Sequence, residues 1–282
     1  MQHVERMRPL LGTFVTIRAE AVPGLTTAQL EMAIQSSFRA VELVQQCMSF
    51  HSKRSDIGRL NRGRAGMSLR VHRWTYQVLS KAMSLWRKSG GIFDCNIGAH
   101  LVRAGLLPGK NSRRSRQQSQ LRRPAITLRP GRKILLNRPV SLDLGGIAKG
   151  FAVDKAVETL RAHGVTSGVV NAGGDLRVFG SDPQSIWIRR PDATGERQLI
   201  GALSNGAIAT SAAYFTSDAA SDGIEASAIF DTKRIRRVDM KQSISVIAQT
   251  CMQADALTKI ATISGRIPTS LARIAKAQIF KL

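Results

Sequence analysis

The run "DLGGIAKGFAVD", from Asp143 to Asp154, has the residue types of a phosphate cradle. A short strand-like stretch, "VSLDL", leads into Gly145 and Gly146; then come Lys149, Gly150 and a helical pattern. Glycines let a backbone approach a ligand closely. Unpaired N–H groups at a helix start, and the helix dipole, favour an anion there. The lysine adds a full charge. The spacing is neither G-x-x-x-x-G-K-[ST] nor G-x-G-x-x-G, so taken alone the run also reads as a tight strand-to-helix turn.

The elements that must position this run follow from periodicity. "LLGTFVTIRAE" alternates as a strand near the N-terminus. Thr26 and Gln29 form a capping box. Leu30, Ile34, Phe38, Val41, Val44 and Met48 then recur at three- and four-residue spacing, one apolar helical face. A second helix is expected over about 73–88, stopped by Gly90-Gly91. "AITLRPGRKILL" reads as a hairpin turning at Pro130-Gly131. A helix over about 147–163 ends at Gly164. Strands are expected at "TSGVVNAGGDLRVFG", "SIWIRR", "GAIATSA" and "SISVIA", and closing helices at "QADALTKIATIS" and "PTSLARIAKA". Strands and helices mix without a βαβ repeat, which points to α+β: mixed sheets with packed helices and a cleft between β-rich lobes.

The 282 residues, 43% hydrophobic, suffice for one domain over 1–282. No apolar run is long enough to span a bilayer. The start, "MQHVERMRPLLGTFVTI", carries no signal-peptide pattern and passes directly into a strand, so a cytoplasmic protein is expected. Cys47, Cys95 and Cys251 are isolated and odd in number, which argues against a disulfide framework or a zinc site. The net charge of +23 invites a nucleic-acid reading. But the charge is clustered. Residues 110–138 hold ten Lys/Arg and no acid, much of it in a polar insertion at about 110–124 expected to be flexible, and "KRIRRVDMK" spans 233–241. No aromatic residue interleaves either cluster, so base stacking has little support and no specific nucleic-acid partner is expected.

Seven stretches occur in order: "LLGT" (10–13), "SDIGRLN" (55–61), "GGIFDCNIG" (90–98), "DLGGIAKGFAVD" (143–154), "NAGGDLRVFG" (171–180), "IATSAAY" (208–214) and "ADALTKIATISG" (254–265). Together they resemble the FAD:protein FMN transferase family over about residues 8–265. The resemblance implies FAD bound in a cleft, a divalent ion (usually Mg2+) on its pyrophosphate, and transfer of FMN to a threonine or serine of an acceptor flavoprotein with release of AMP. Position by position, Leu11 stands where the family's methionine touches the flavin, and His51 where many members stack a tyrosine on the ring. Ile92, Phe93 and Asp94 match the segment lining the FAD site, with Asp94 placed to accept from ribose or adenine. Asp143 and Lys149 match FAD-contacting positions. Gly146 falls at a metal-ligand position, available here through its carbonyl. Thr210 and Ser211 match the family's "TSG", whose glycine is Ala212 here. Asp175 reads as a residue that ties down a tight turn. Catalytic work falls to Asp255, Lys149 and Thr210.

Two departures stand out. The family's "H-I-x-D-P-x-T-G" corresponds to "SAIFDTKRIRR": Ile229 and Asp231 align, but Ala228 stands at the histidine. The family's metal-binding aspartate and, four residues on, its threonine correspond to Asp255 and Lys259, with Thr258 the nearest hydroxyl. An ammonium there repels a metal ion unless it replaces the metal's charge. The departures feed a second reading: a family member that holds FAD, or hydrolyses its pyrophosphate, without transfer.

Overall fold

The structure, a computed structural model, describes residues 3–21, 23–109, 123–189, 196–211, 226–231, 233–234, 236–239 and 242–281. In chain order its elements begin with β1 (His3–Leu10), β2 (Thr13–Glu20), α1 (Thr27–Met48), α2 (Asp56–Asn61), β3 (Ser68–Arg70), α3 (Arg73–Lys88), α4 (Gly98–Arg103), β4 (Ile126–Arg129), β5 (Lys133–Leu136) and α5 (Ala148–Ala162). There follow β6 (Gly168–Ala172), β7 (Asp175–Phe179), β8 (Gln184–Arg189), β9 (Arg197–Leu203), β10 (Gly206–Ser211), β11 (Ala226–Asp231), β12 (Arg236–Asp239), β13 (Ile244–Ala248), α6 (Cys251–Ser264), α7 (Thr269–Ala275) and β14 (Gln278–Lys281). Most of the basic stretch at 110–124 lies outside the described residues. Among those described, no helix is long and apolar enough to cross a membrane.

The organising element is a seven-stranded sheet in the order β1-β2-β6-β7-β10-β13-β14, antiparallel throughout. Its two faces follow from the period of two along a strand. On β10, Ala207 and Ala209 point into the main core, while Ile208 faces the other side. On β13, Val246 and Ala248 take the core side and Ile247 the opposite one. Helices α1, α5 and α6 cover the first face. The β8–β9 hairpin covers part of the second through Ile186 and Ile188. The fold is α+β, as the mixed pattern predicts.

The local signals hold. The Thr26/Gln29 capping box opens α1, and all six residues of its predicted apolar face are buried. Gly265, at φ 75°, ends α6 in the left-handed conformation that glycine adopts without steric cost.

Two expectations need correction. "LLGTFVTIRAE" is not one strand: β1 precedes it, and Leu11 (φ 58°) with Gly12 (φ 71°) makes the hairpin turn. Five of the eight residues of β1 are exposed and three are charged, so this edge strand carries no apolar alternation to betray it. "VSLDL" is no strand either. Its backbone bonds to side chains and loops instead: Ser141 N donates to Asn96 Oδ1 (2.8 Å), Leu142 N to Asn61 Oδ1 (2.6 Å), Asp143 N to the Cys95 carbonyl (2.8 Å).

Candidate active site

A cleft of about 760 Å³ opens between the sheet edge formed by the β1–β2 turn and the end of β10, the β11 strand, and the starting turn of α5. That size suits a cofactor site. One wall is apolar. Leu11 is held there by its N–H, which donates to Gln45 Oε1 of α1 (2.6 Å). His51 follows α1 on the same rim, and Ile92 and Phe93 follow α3. Phe93 is fixed by its N–H donating to Ser89 Oγ (3.0 Å). Ile229 closes the far side, next to Phe230, whose ring stacks on His100 at 4.8 Å.

Two carboxylates line the cleft beside this wall. Asp94 accepts from Asn96 N (2.8 Å) and Asp143 from Gly145 N (3.1 Å). Burial pushes both carboxyls up from the usual carboxylate value, against those N–H bonds and, for Asp143, the nearby His51. Asp143 cannot swing away, because Asn61 clamps the residue before it from both sides: Leu142 N donates to Asn61 Oδ1, and Asn61 Nδ2 to the Leu142 carbonyl (2.9 Å).

The charged end of the cleft is made by α5 and α6. Ile147, before α5, offers no side-chain cap; Asp255 caps the first turn through Gly150 N instead, and the helix start borders the cleft through Gly146, Ala148 and Lys149. Lys149 projects from that turn and pairs with Asp175 at the start of β7. Burial pulls the ammonium's pKa down, but Asp175 and Asp255 outweigh it and hold it above the ordinary lysine value. Asp175 does not tie the turn before it; the Gly174 N–H donates to Asn171 there (3.0 Å). Lys259, one turn along α6 from Asp255, reaches back to it, with Nζ 2.6 Å from Oδ1.

Asp255 and Thr258 do not face the cleft; both are fully buried behind Lys259. Each donor there is occupied. Asp255 Oδ2 accepts from Gly150 N (3.1 Å). Thr258 Oγ1 donates to the Asp255 carbonyl (2.7 Å) and accepts from Ser211 Oγ (2.8 Å) and Lys259 Nζ (3.1 Å). A hydroxyl has one proton and two lone pairs, so Thr258 has nothing left to give. Burial alone would raise the Asp255 carboxyl; Lys259 and Lys149 outweigh it and hold it below the usual range. Asp175, left with Lys149 and facing Asp255's charge, is raised by burial and that charge. Over Gly146 lies the stem of Lys259, whose Cγ would be 3.3 Å from a Cβ placed there. Among the described residues no cluster of three or more His, Cys, Asp or Glu could hold a metal ion. As arranged, Gly146, Asp255, Thr258 and Lys259 do not fit a divalent ion: the carboxylate is paired, the hydroxyl saturated, and an ammonium stands in the way.

Thr210 lines the cleft with its Oγ1 2.8 Å from Ser245 Oγ, and Ser211 lines it one residue on. Ala212 lies outside the described residues; Ala228 lies in β11. Asp231 serves the β11–β12 turn, accepting from the N–H groups of Lys233 and Arg234 (2.9 and 3.1 Å).

Three positioning residues, Asn61, Asp175 and Asp154, lie inside the quoted motifs, but the motifs do not give the roles that the structure shows. Asp154 is buried on α5, pairs with Arg177 (2.6 Å) and accepts from the N–H groups of Cys251 and Met252 (both 2.9 Å), so one helix caps the start of the next. Its signal was available: a carboxylate amid the apolar run "GFAVDKAV" requires a buried partner.

Fold and cleft define an α+β protein with a lysine pair at one end of a mixed apolar and acidic pocket. The ApbE family model matches residues 11–279, and the chain belongs to the ApbE family. Similar curated proteins include the FAD:protein FMN transferases of Treponema pallidum (27% identical, covering 94% of this chain and 80% of the relative) and Vibrio cholerae (28%, 91% and 80%). Among solved structures, the flavin transferase ApbE from Vibrio cholerae matches with a TM-score of 0.83 at 23% identity, over 99% of this chain and 93% of that one. The ApbE protein from Thermotoga maritima matches at 0.81 and 24%, over 99% and 94%.

Proposed function

We infer that this chain is an FAD:protein FMN transferase. The acceptor hydroxyl oxygen bonds to the phosphorus of the FMN half as the bridging bond to the AMP phosphate breaks. The hydroxyl proton passes to solvent water, and AMP leaves with the bonding electron pair. Such a transfer depends mainly on positioning and on neutralising the charge that spreads over the phosphate oxygens. The observation that carries the reading is the lysine pair: Lys149 and Lys259 both line the cleft, and their carboxylate partners lie behind them. A diphosphate entering the cleft meets two ammonium groups and the start of α5. In the same pose Leu11, His51, Ile92 and Phe93 cover the isoalloxazine ring, Ile229 closes over it, and Asp94 and Asp143 accept from ribose and adenine. Thr210 and Ser211 border the phosphate end. Ala228 at the family's histidine position leaves the step without that base, a loss of about 10²–10⁴ in rate, so transfer should be slow.

The test is incubation with FAD and an acceptor flavoprotein domain bearing a target threonine, followed by intact-mass measurement. A mass gain of one FMN on the acceptor, with equimolar AMP, is expected. FAD that binds but yields neither product would leave a flavin-holding protein. Calorimetry adds a second check: FAD should bind more tightly than FMN, since the lysine pair and the acidic rim serve the diphosphate and the AMP half.

A further inference from the structure

The cation position of this cleft is already filled, by a side chain. Lys149 pairs with Asp175 and Lys259 with Asp255, a quartet whose formal charges cancel. Both carboxylates are buried at the back, whereas Lys149 and Lys259 keep 30% and 19% of their side chains exposed toward the cleft. A neutral residue at 259 would leave the quartet one negative charge in excess, facing an incoming diphosphate. We propose that Lys259 is the permanent cation of this site, so that the protein binds a dinucleotide diphosphate without a divalent metal ion. The proposal rests on the flavin reading for its ligand, but its electrostatic core does not.

Three features make Lys259 a built part of the site. Its i,i+4 spacing from Asp255 lets the ammonium fold back along its own helix to reach the carboxylate. Its Nζ also donates to Thr258 Oγ1, using the hydroxyl that would otherwise be a ligand. Gly146 has no side chain, and the lysine stem passes over it; a Cβ there would meet Cγ, Cδ and Cε at 3.3, 3.8 and 3.6 Å. A metal ion would have to displace the ammonium from Asp255 and then remain beside it and Lys149.

The test separates metal from flavin. Free Mn2+ is followed by electron paramagnetic resonance as it is titrated into FAD-free wild type, Lys259→Thr, and Lys259→Thr combined with Asp255→Asn. Wild type should take up no Mn2+ at this site; Lys259→Thr should gain one site, which the added Asp255→Asn removes. FAD is then titrated in EDTA and in excess Mg2+. Wild type and Lys259→Arg should bind it within about twofold in the two media, whereas Lys259→Thr should lose about tenfold or more in EDTA and recover with Mg2+, the scale of one charged hydrogen bond. A wild-type Mn2+ site abolished by Asp255→Asn overturns the proposal. So does a tenfold loss of wild-type FAD affinity in EDTA, or a folded Lys259→Thr that takes no Mn2+. If Lys259→Thr does not fold, wild type and Lys259→Arg still decide. If wild type binds no FAD in either medium, the flavin reading fails, while the Mn2+ titration still judges Lys259.

Discussion

Replacing Gly150 by alanine should drive apart the two helices that carry the lysine pair. An ideal Cβ at Gly150 lies 2.3 Å from the Cys251 carbonyl oxygen, 2.6 Å from its carbon and 2.8 Å from Met252 N. All three are backbone atoms at the start of α6, so no rotamer change relieves the clash. Opening the first contact to the 3.4 Å of ordinary packing needs about 1.1 Å. Added to the 2.9 Å bonds from Cys251 N and Met252 N to Asp154, that movement takes both out of hydrogen-bonding range. The bond from Gly150 N to Asp255, now 3.1 Å, is lost with them. Alanine favours a helix by about 1 kcal/mol over glycine, which opposes the effect. Overpacking costs about 1–3 kcal/mol, and each hydrogen bond to a charged group about 1.5–3 kcal/mol. Allowing for partial relaxation, a net loss of about 3–5 kcal/mol follows, or about 5–9 °C in Tm for a domain of this size. Gly174→Ala is the control: it has φ 99° but open space within 4 Å, so only the left-handed backbone is penalised, about 1 kcal/mol. Thermal melts by circular dichroism, paired with FAD titration, read both consequences. A Gly150→Ala protein that melts with wild type and binds FAD equally would refute the close helix contact as the device that sets the lysine pair.

Lys149→Met should weaken FAD binding about tenfold to a hundredfold by calorimetry, since it removes one charged donor to the diphosphate, while riboflavin binding changes little; equal losses for both ligands would remove Lys149 from the phosphate end. Asn61→Ala unpairs the Leu142 N–H and carbonyl and should cost about 2 kcal/mol, with FAD affinity falling as Asp143 loosens; denaturant melts and titration check both, and unchanged affinity would show that Asp143 is held another way. The three cysteines are free, and burial first, then the Asp56 carboxylate, push the Cys47 thiol up to about 11. Only about one Cys47 in a thousand is then thiolate at pH 8, so labelling should be slow and accelerate about tenfold per pH unit toward 11; fast labelling of Cys47 at neutral pH would contradict its burial.

What was legible in the sequence is what neighbouring residues decide among themselves. The Thr26/Gln29 box, the hairpin turn at Pro130-Gly131 and the stop at Gly164 are local matters between a few adjacent residues, and each stands in the fold. The Asp255/Lys259 spacing is equally local: four residues on a helix put two side chains together whatever surrounds them. The failures are local patterns overruled from a distance. "VSLDL" has a strand's residues, but Asn61, 81 positions away, takes both polar groups of Leu142. Leu11 became a turn because an unpatterned edge strand precedes it.

The sequence by itself determined the ordered motifs, the helix faces and the charge at position 259. Beyond the i,i+4 pair on α6, tertiary structure decided what the charges of the site meet. Lys149 finds Asp175 across 26 residues, Gly150 finds Asp255 across 105, and Asp154 caps α6 across 97. No periodicity encodes such pairings. They exist because a glycine lets α5 and α6 approach until a backbone N–H of one touches a carboxylate of the other. Only then do two lysines from distant parts of the chain share one cleft, with their carboxylates sealed behind them.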